Sequence, residues 1–315
     1  MEYVQLGKTD LKVSRITYGA MELGGGNAYA GGMDRWAVKP DEDNIRLLQT
    51  AFENGVNSFD TAELYGAGRS EMIVGKALGG MRKDCVIATK ISPHHLRPND
   101  IRIAVSQSLF RLNTDYIDLY YIHAPSKEIP IEETMSELVK LRQEGVIRAI
   151  GVSNFSLGQL KQAMEYGRID AIQPEYNLLQ RNIEQDLMAY CVEHEISIMS
   201  YNSVAKGILT GAFHLYGHQV SDFRRNRPLF QPDNMRKTAP LIAGLKEIAD
   251  ARGAALSQVA IHWLFRQKGL TSAIIGTQNE QHFLENLKAV GLQVTDEEIA
   301  GLSAVSADVL QSIAN

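Results

Sequence analysis

Short runs rich in β-branched residues alternate eight times with amphipathic helical patterns along this 315-residue chain. The predicted strands are Ile16 to Gly19, Asn57 to Phe59, Val86 to Thr89, Ile117 to Ile122, Ala149 to Val152, Ala171 to Gln173, Ile196 to Tyr201 and Ala273 to Ile275. The predicted helices are Asp41 to Asn54, Ser70 to Leu78, Asn99 to Leu112, Ile131 to Glu144, Ser156 to Tyr166, Ile183 to Glu193, Pro240 to Arg252 with Leu256 to Gln267, and Glu280 to Val290. Eight strand–helix units in a chain of this length favour a closed (β/α)8 TIM barrel over an open doubly wound sheet, in one domain spanning 1–315.

Both ends of the chain lie outside this repeat. Two short alternating segments flank a turn at residues 7–10, which predicts an N-terminal β-hairpin that plugs one end of the barrel. Thr295 and Glu298 have the spacing of a capping box, which predicts one extra helix at the C-terminus. Within the repeat, residues 24–39 and 205–238 form loops long enough to act as lids or binding elements.

The bulk composition disfavours several classes of protein. A formal charge of −5 and a pI near 5.9 give no reason to expect a nucleic-acid or membrane partner. The N-terminus lacks the pattern of a signal peptide, and no apolar run reaches the ~20 residues that cross a bilayer. Cys85 and Cys191 are expected to be buried and reduced. These features predict a soluble cytoplasmic protein, and they leave its oligomeric state open.

Four residues that carry charge or exchange protons follow successive predicted strands. Asp60 and Tyr65 follow the second strand, Lys90 follows the third and His123 follows the fourth. The C-terminal ends of barrel strands meet on one face, so we expect these side chains to share a site. A free phenol has a pKa of about 10, and an ammonium held charged by a carboxylate is expected to lower it. Each residue alone is more often structural, but the set of four predicts a proton-donating site that needs no metal.

With these residues in place, the chain resembles the aldo-keto reductase family from the hairpin to about Ala289. The motifs that carry the resemblance are Leu6-Gly7 with Val13-Ser14-Arg15, Asp60-Thr61-Ala62 with Tyr65-Gly66, Thr89-Lys90, Tyr121-Ile122-His123, Gly151-Val152-Ser153-Asn154-Phe155, Gln173-Pro174 with Tyr176-Asn177, Gly207 with Leu209-Thr210-Gly211, and Glu285-Asn286. The resemblance implies a barrel enzyme that binds NADPH in extended form and reduces aldehydes or ketones. It implies that Tyr65 donates the proton, that Lys90 and Asp60 tune it, and that His123 orients the substrate oxygen. No G-x-G-x-x-G fingerprint follows a predicted strand, in keeping with a cofactor bound outside a Rossmann fold.

The resemblance also implies which residues hold the cofactor. Ser153, Asn154 and Gln173 match the polar groups that hold the nicotinamide carboxamide. Tyr201 matches the aromatic residue on which the nicotinamide stacks, with a core tyrosine as the alternative. The other matching positions are Ala20, Met21, Asp60, Asn202, Ser203, Val204, Lys206, Gly207, Leu209, Gly276, Thr277, Gln278, His282, Glu285 and Asn286.

Two loops are expected to contact the cofactor phosphates. In residues 202–209, Gly207 permits close backbone approach to the pyrophosphate and Lys206 adds charge, although the family's frequent Ser-Pro-Leu is replaced by Asn-Ser-Val. In residues 276–282, NADPH-using relatives usually place Arg or Lys for the 2′-phosphate, whereas this chain has Gln278 and His282. Backbone amides at the helix start, with Thr277, can still bind a phosphate. We therefore expect NADPH, with NADH as the alternative.

Several other residues leave more than one interpretation. Arg224, Arg225 and Arg227 either clamp the cofactor or an anionic substrate, or they form a solvated basic loop. Trp36 is predicted to line the substrate pocket beside the catalytic tyrosine and histidine. His94 and His95 are adjacent, so their side chains diverge, and no metal site is predicted there.

The leading functional hypothesis is hydride transfer from NAD(P)H to the carbonyl carbon of an aldehyde or ketone, with Tyr65 protonating the oxygen. The alternative is a nucleotide-sensing interaction protein on the same fold, with weak or no turnover, like the potassium-channel β subunits that resemble these reductases. A metal-dependent barrel hydrolase is disfavoured because the sequence offers no credible ligand set. Substrate identity depends on loop conformation, which the sequence does not encode legibly.

Overall fold

An N-terminal hairpin and a closed barrel of eight parallel strands make up the sheets of the computed structural model, which describes residues 1–25, 36–220 and 222–314. The strands are β1 (Tyr3–Gln5), β2 (Lys12–Ser14), β3 (Ile16–Gly19), β4 (Ser58–Asp60), β5 (Val86–Ile91), β6 (Ile117–Ile122), β7 (Ile147–Ser153), β8 (Ala171–Gln173), β9 (Ser197–Ser200) and β10 (Leu270–Ile275). Around the barrel they run β10-β3-β4-β5-β6-β7-β8-β9, and β9 closes on β10. The predicted (β/α)8 barrel is confirmed.

Helices cover the outside of the barrel between successive strands. They are α1 (Asp41–Glu53), α2 (Arg69–Leu78), α3 (Pro98–Leu112), α4 (Ile131–Gln143), α5 (Leu157–Met164), α6 (Leu187–Glu193), α7 (Ala212–Leu215), α8 (Pro232–Lys237), α9 (Ala239–Asp250), α10 (Leu256–Phe265), α11 (Glu280–Leu287) and α12 (Asp296–Ala314). The helix predicted from Ile183 begins as an α-helix only at Leu187, because residues 182–184 form a 3-10 turn. In the described part of the chain, no helix combines the length and the apolar character needed to cross a bilayer.

Half of the predicted strand ends shift, by at most three residues, and one of these shifts matters for function. β4 covers Ser58–Asp60 rather than residues 57–59, so Asp60 belongs to the barrel and pairs in register with Ala88 of β5. Its main-chain oxygen also accepts the Ala20 N–H at 2.8 Å. Backbone hydrogen bonds therefore hold Asp60 on both sides. Its side chain starts from a fixed backbone position at the barrel mouth.

The hairpin closes the N-terminal end of the barrel, as predicted. Leu6, Leu11 and Val13 are buried and pack with inward-facing barrel residues such as Leu119 and Ala171. At the other end of the chain, the Thr295 N–H donates to Glu298 Oε2 at 2.8 Å and the Glu298 N–H donates to Thr295 Oγ1 at 3.2 Å. That capping box starts α12, so the extra C-terminal helix is also confirmed.

Candidate active site

The mouth of the barrel brings together Asp60, Lys90 and Tyr65. Lys90 Nζ donates to Asp60 Oδ1, to the main-chain oxygen of Thr61 at 2.8 Å, and to the Tyr65 hydroxyl at 3.3 Å. Lys90 is only 1% exposed, so the three protons of its ammonium have their acceptors inside the protein. Because the ammonium donates to the phenol oxygen, the proton of the phenol is left to be donated elsewhere. The predicted convergence of these three side chains is thus what the structure shows.

A tight turn fixes Tyr65 in this position. Gly66 follows it with a φ of +61°, and a Cβ on Gly66 would lie 2.2 Å from the main-chain oxygen of Gly24. No other residue type fits that contact without moving the backbone, because the obstacle is itself backbone. The turn carrying Tyr65 therefore packs directly on the loop that follows β3.

The titration behaviour of this set differs from the sequence-based expectation. Burial raises the pKa of the Tyr65 phenol well above its usual value, and the Asp60 carboxylate raises it further. Burial also lowers the pKa of the Lys90 ammonium, against the opposing effect of Asp60. The net direction is therefore opposite to the expected lowering of the tyrosine pKa, because burial and the Asp60 carboxylate both raise it. Tyr65 keeps its proton throughout the physiological range.

His123 follows β6 and meets Tyr65 edge-on. The two ring centroids lie 5.6 Å apart with an interplanar angle of 85°. Burial and the charge of Lys90 lower the pKa of His123 to about 3. Its Nδ1 is buried without a hydrogen-bond partner among the described residues. The imidazole is neutral, so it can touch a substrate oxygen without adding a second positive charge beside Lys90.

Ser153, Asn154 and Gln173 lie together beside this set. Ser153 and Gln173 are register partners of β7 and β8, and Ser153 Oγ donates to the Gln173 main-chain oxygen at 2.9 Å. Asn154 Nδ2 donates to the main-chain oxygen of His123 at 3.0 Å. Gln173 Nε2 donates to Asp60 Oδ2 at 2.8 Å, a contact that the sequence gave no means of predicting. The predicted carboxamide-binding trio is thus physically joined to the predicted catalytic residues.

Tyr201, which follows β9, lies at the rim of the mouth. It is half-buried rather than part of the core, and its hydroxyl donates to Asn154 Oδ1 at 2.8 Å. Burial, with Glu175 and Tyr65 nearby, raises the pKa of its phenol. Tyr201 therefore contacts Asn154 of the same polar trio through its hydroxyl, and it does not lie in the barrel interior that a core tyrosine would occupy.

The loop after β9 turns through several left-handed residues. Asn202, Ala205, Lys206 and Gly207 have φ values of +54°, +49°, +51° and +97°. Ser203 is buried, its Oγ donating to the Ile274 oxygen at 3.1 Å, while Leu209 is fully buried and Val204 half-buried. The apolar side chains thus anchor the turn, and the Gly207 N–H itself donates to the Val204 main-chain oxygen at 3.0 Å.

Arg224 supports that turn from behind. Its Nη1 donates to the Lys206 main-chain oxygen at 2.9 Å, its Nη2 lies 2.7 Å from Asp222, and its guanidinium lies over the Phe213 ring. Arg225 is exposed. Arg224 therefore holds the shape of the turn, and the solvated-loop interpretation does not describe it.

The turn before α11 differs from the expected bare helix start. Thr277 Oγ1 accepts the Asn279 N–H at 3.0 Å, and Asn279 Oδ1 accepts the His282 N–H at 3.0 Å. Gln278 Nε2 donates to the main-chain oxygens of Glu22 and Ala37, both at 2.9 Å. Two of the amides expected to bind phosphate are thus already occupied, and Gln278 ties the first loop to this turn.

Two residues near this turn escaped the sequence analysis. Lys39 Nζ donates to the Gln278 main-chain oxygen at 2.5 Å, so a cation does reach the turn, although from the first loop. Burial raises the pKa of Glu22 to about 7, against the opposing effects of Arg224, the Gln278 N–H, Lys206 and Lys39. Neither residue belongs to a recognisable motif, because its neighbours come from distant parts of the chain.

The remaining predicted positions surround the same mouth. Ala20 is buried, Met21 and Glu285 are half-buried, Asn286 is buried, and Gly276 and His282 are exposed. The Trp36 N–H donates to the Gly25 oxygen at 3.2 Å, while residues 26–35 of the same predicted lid, and residue 221 of the second loop, lie outside the described part. His95 Nδ1 lies 2.9 Å from Glu63 Oε1, and the described residues contain no group of three or more His, Cys, Asp or Glu placed to hold a metal ion.

The mouth of this (β/α)8 barrel carries a tyrosine that is hydrogen-bonded to a lysine, a neutral histidine and a cluster of amide side chains. These features define a barrel protein with an acid–base site. Its sequence matches the model of the Aldo/keto reductase family over residues 15–307. The chain belongs to this family of NAD(P)H-dependent oxidoreductases, whose substrates are small carbonyl compounds.

Characterised relatives resemble the chain over nearly its whole length. It is 34% identical over 290 residues to the aldo-keto reductase YhdN of Bacillus subtilis (strain 168), covering 88% of this chain and 85% of that protein. It is 31% identical over 320 residues to the NADH-specific methylglyoxal reductase of Escherichia coli (strain K12), covering 95% and 96%. Among solved structures, an aldo-keto reductase from Klebsiella pneumoniae in complex with NADPH has a TM-score of 0.76 and 28% identity, covering 97% of this chain and 95% of that one.

Proposed function

We propose that this protein reduces the carbonyl group of a small aldehyde or ketone, with Tyr65 as the proton donor. The observation that supports this proposal best is the hydrogen bond from Lys90 Nζ to the Tyr65 hydroxyl at 3.3 Å. When bound, the reduced nicotinamide supplies the hydride that adds to the carbonyl carbon. Tyr65 then supplies the proton that neutralises the oxygen.

The charges around Tyr65 favour the loss of its proton during the reaction and not before the reaction begins. The raised pKa keeps Tyr65 protonated, so the phenol carries the proton that it donates before the reaction begins. As the proton leaves, negative charge develops on the phenol oxygen next to the Lys90 ammonium, in a site from which water is largely excluded. A fixed charge beside the atom that becomes charged stabilises the transition state more strongly in such a site than in water. It is already in position, so no surrounding dipoles have to reorient. Neutral His123, edge-on to the phenol, orients the substrate oxygen.

The residues beside the catalytic set fit a nicotinamide cofactor. Ser153, Asn154 and Gln173 provide hydroxyl and amide groups, which match the donors and acceptors of a carboxamide. Tyr201 provides an aromatic face next to them, and its hydroxyl is already held by Asn154. Lys206, in the left-handed turn after β9, provides positive charge for a pyrophosphate.

Coenzyme choice follows from the turn before α11. We infer that NADPH and NADH bind with affinities within about tenfold of each other, because the described turn offers no guanidinium and two of its amides are used. Lys39 is the cation that reaches the Gln278 backbone, so any preference for the 2′-phosphate would depend on it. One relative is named as NADH-specific and one neighbour structure contains NADPH, which fits a family in which this preference varies.

The two cysteines suit a reducing compartment. Cys85 and Cys191 are free and buried, and burial raises the pKa of each thiol to about 12. Thiols in that state are inert and remain reduced. We propose that the protein works in the cytoplasm, in keeping with this state.

Replacing Tyr65 with Phe tests the central proposal. The variant should bind NADPH and NADH with dissociation constants within about twofold of the parent protein, while turnover on a panel of aldehydes and ketones falls at least about a hundredfold. The measurement is cofactor titration by fluorescence quenching, followed by the nicotinamide absorbance during turnover. Tyr166→Phe, at an exposed tyrosine after α5, is the matched control.

Parental turnover in Tyr65→Phe would exclude Tyr65 as the proton donor. A parent that binds cofactor tightly, turns over no carbonyl compound and captures a stable protein partner would support the nucleotide-sensing alternative instead.

A further inference from the structure

One hydrogen bond crosses the mouth of the barrel. Asp60 ends β4 and Gln173 ends β8, and these strands are four steps apart in the ring of eight. They stand on opposite walls, yet Gln173 Nε2 donates to Asp60 Oδ2 at 2.8 Å. Asp60 is 4% exposed and Gln173 is 3% exposed, so water does not compete for this contact. The bond is therefore a direct link between the two sides of the site.

The link fixes the orientation of Asp60. Lys90 uses Oδ1 of the carboxylate, and Gln173 uses Oδ2. A carboxylate held through both oxygens cannot rotate about its terminal bond without losing one charge-assisted hydrogen bond. Removing the Gln173 donor would leave a buried carboxylate oxygen unsatisfied, which is costly in a site of low dielectric. Gln173 thus controls the anion that aims Lys90 at Tyr65.

Gln173 is itself held by the neighbouring strand β7 and the residue after it. Its main-chain oxygen accepts from Ser153 Oγ at 2.9 Å and from the Asn154 N–H at 3.3 Å. Asn154 in turn donates to the main-chain oxygen of His123. A rigid anchor on one wall therefore presents the amide to the carboxylate on the other.

We propose that Gln173 is a positioning residue for proton donation, coupling the residues that hold the cofactor to the Asp60–Lys90–Tyr65 set. This inference rests on the proposed function, and it goes beyond a contact between Gln173 and a carboxamide. Movement of Gln173 shifts Asp60, which shifts the ammonium that stabilises the phenolate of Tyr65. The charged and titratable groups around the link are Asp60, Lys90, Tyr65, Tyr121 and His123.

Two variants separate positioning from simple cofactor contact. Gln173→Met keeps the length of the side chain but removes the donor, and it should lower kcat at saturating cofactor about tenfold at every pH. Gln173→Glu can donate to Asp60 only while its own carboxyl is protonated. Two carboxyl groups in contact cannot both ionise easily, so that proton should be retained well above the usual glutamate range. Gln173→Glu should therefore stay within about threefold of the parent kcat at pH 5 and fall to the level of Gln173→Met by pH 9.

Thermal unfolding of the cofactor-free protein gives a readout that does not depend on turnover. The carboxyl of Gln173→Glu has a higher pKa folded than unfolded, so its contribution to stability is lost as pH rises. The Tm difference between this variant and the parent should grow from pH 5 to pH 9, whereas that of Gln173→Met should stay constant. Gln107→Glu is the matched control, because it introduces the same carboxyl group at an exposed position of α3, where its Tm difference from the parent should stay constant over this pH range.

The outcomes separate this proposal from the one it rests on. Equal, pH-independent losses in both variants, or weaker cofactor binding with an unchanged kcat, would overturn the positioning role. A parent without turnover, in which the pH-dependent Tm difference is still present, would reject the proposed function and support the Gln173–Asp60 link. Rescue of kcat in Gln173→Glu at low pH alone is the result that the proposal requires.

Discussion

The two ends of the barrel both bury carboxylates, but they neutralise them in different ways. At the N-terminal floor, Asp118 is fully buried, lies 2.7 Å from Arg82 and 2.8 Å from Arg148, and accepts the Ile87 N–H at 2.9 Å. At the mouth, Asp60 is held by Lys90 and by the neutral amide of Gln173. The burial is similar, whereas the partners differ.

The difference lies in whether protons can move. Asp170, also at the floor, lies 2.6 Å from Arg168 and accepts the Ile150 N–H at 3.0 Å. A guanidinium keeps its charge at any physiological pH and binds as a planar fork, so these arginine pairs act as fixed cross-links. Lysine and tyrosine side chains can release protons, and both stand beside Asp60 at the mouth. The floor is therefore built for stability and the mouth for chemistry.

Asp60→Asn should give the largest effect on turnover. Asparagine keeps the shape of the side chain but removes the charge, so only the weaker effect of Glu71 still opposes the burial that favours a neutral Lys90 amine. We expect kcat to fall about a hundredfold, measured at saturating cofactor over pH 6–9. A kcat within about threefold of the parent would remove the distinction between mouth and floor.

Asp118→Asn is the matched change at the floor, and it should affect stability instead. Half-buried Arg82 and exposed Arg148 would lose their shared anion, and weakening the hydrogen bonds of this buried carboxylate costs about 2 kcal/mol of unfolding free energy. Urea denaturation measures that loss, and kcat of the folded enzyme should stay within about twofold of the parent. Loss of turnover as great as in Asp60→Asn would contradict the comparison.

Glu22→Gln should give the smallest effect, on cofactor binding near neutral pH. Glu22 lies among Lys39, Lys206 and Arg224, and burial raises its pKa to about 7. As pH rises through 7 the carboxylate becomes charged and competes for these cations, so parental affinity for NADPH should fall about three- to tenfold from pH 6 to pH 8. Glu22→Gln should flatten that dependence in fluorescence titrations. Glu297→Gln, at an exposed position of α12, should behave like the parent, and a variant that keeps the parental slope would show that Glu22 is not responsible.

Periodicity and strand-end position were enough to predict the barrel and the face on which it carries its polar set. Asp60, Lys90 and His123 follow successive strands, and strand ends of a parallel barrel share one face whatever the loops do. The capping box of α12 was equally predictable, because a cap is a relation within four residues.

Contacts between distant residues were not predictable in this way. The sequence placed Gln173 near a cofactor, but the bond to Asp60 joins residues 113 positions apart across the barrel. Lys39 and Gln278 are likewise joined only because the first and last barrel strands are neighbours in the ring. The predicted direction of the Tyr65 pKa shift was wrong, because the sequence shows which charges are near the phenol but not how much water is excluded from it.

The sequence by itself determined the eight strand–helix units, the two additions at the ends and the residue types available at the mouth. Those features depend on local periodicity and on the chemistry of single side chains. Only the tertiary structure decided which donor each carboxylate receives, which amides before α11 stay free, and whether burial or charge controls the phenol. Distances and desolvation are properties of the closed barrel, and no local stretch of the chain contains them.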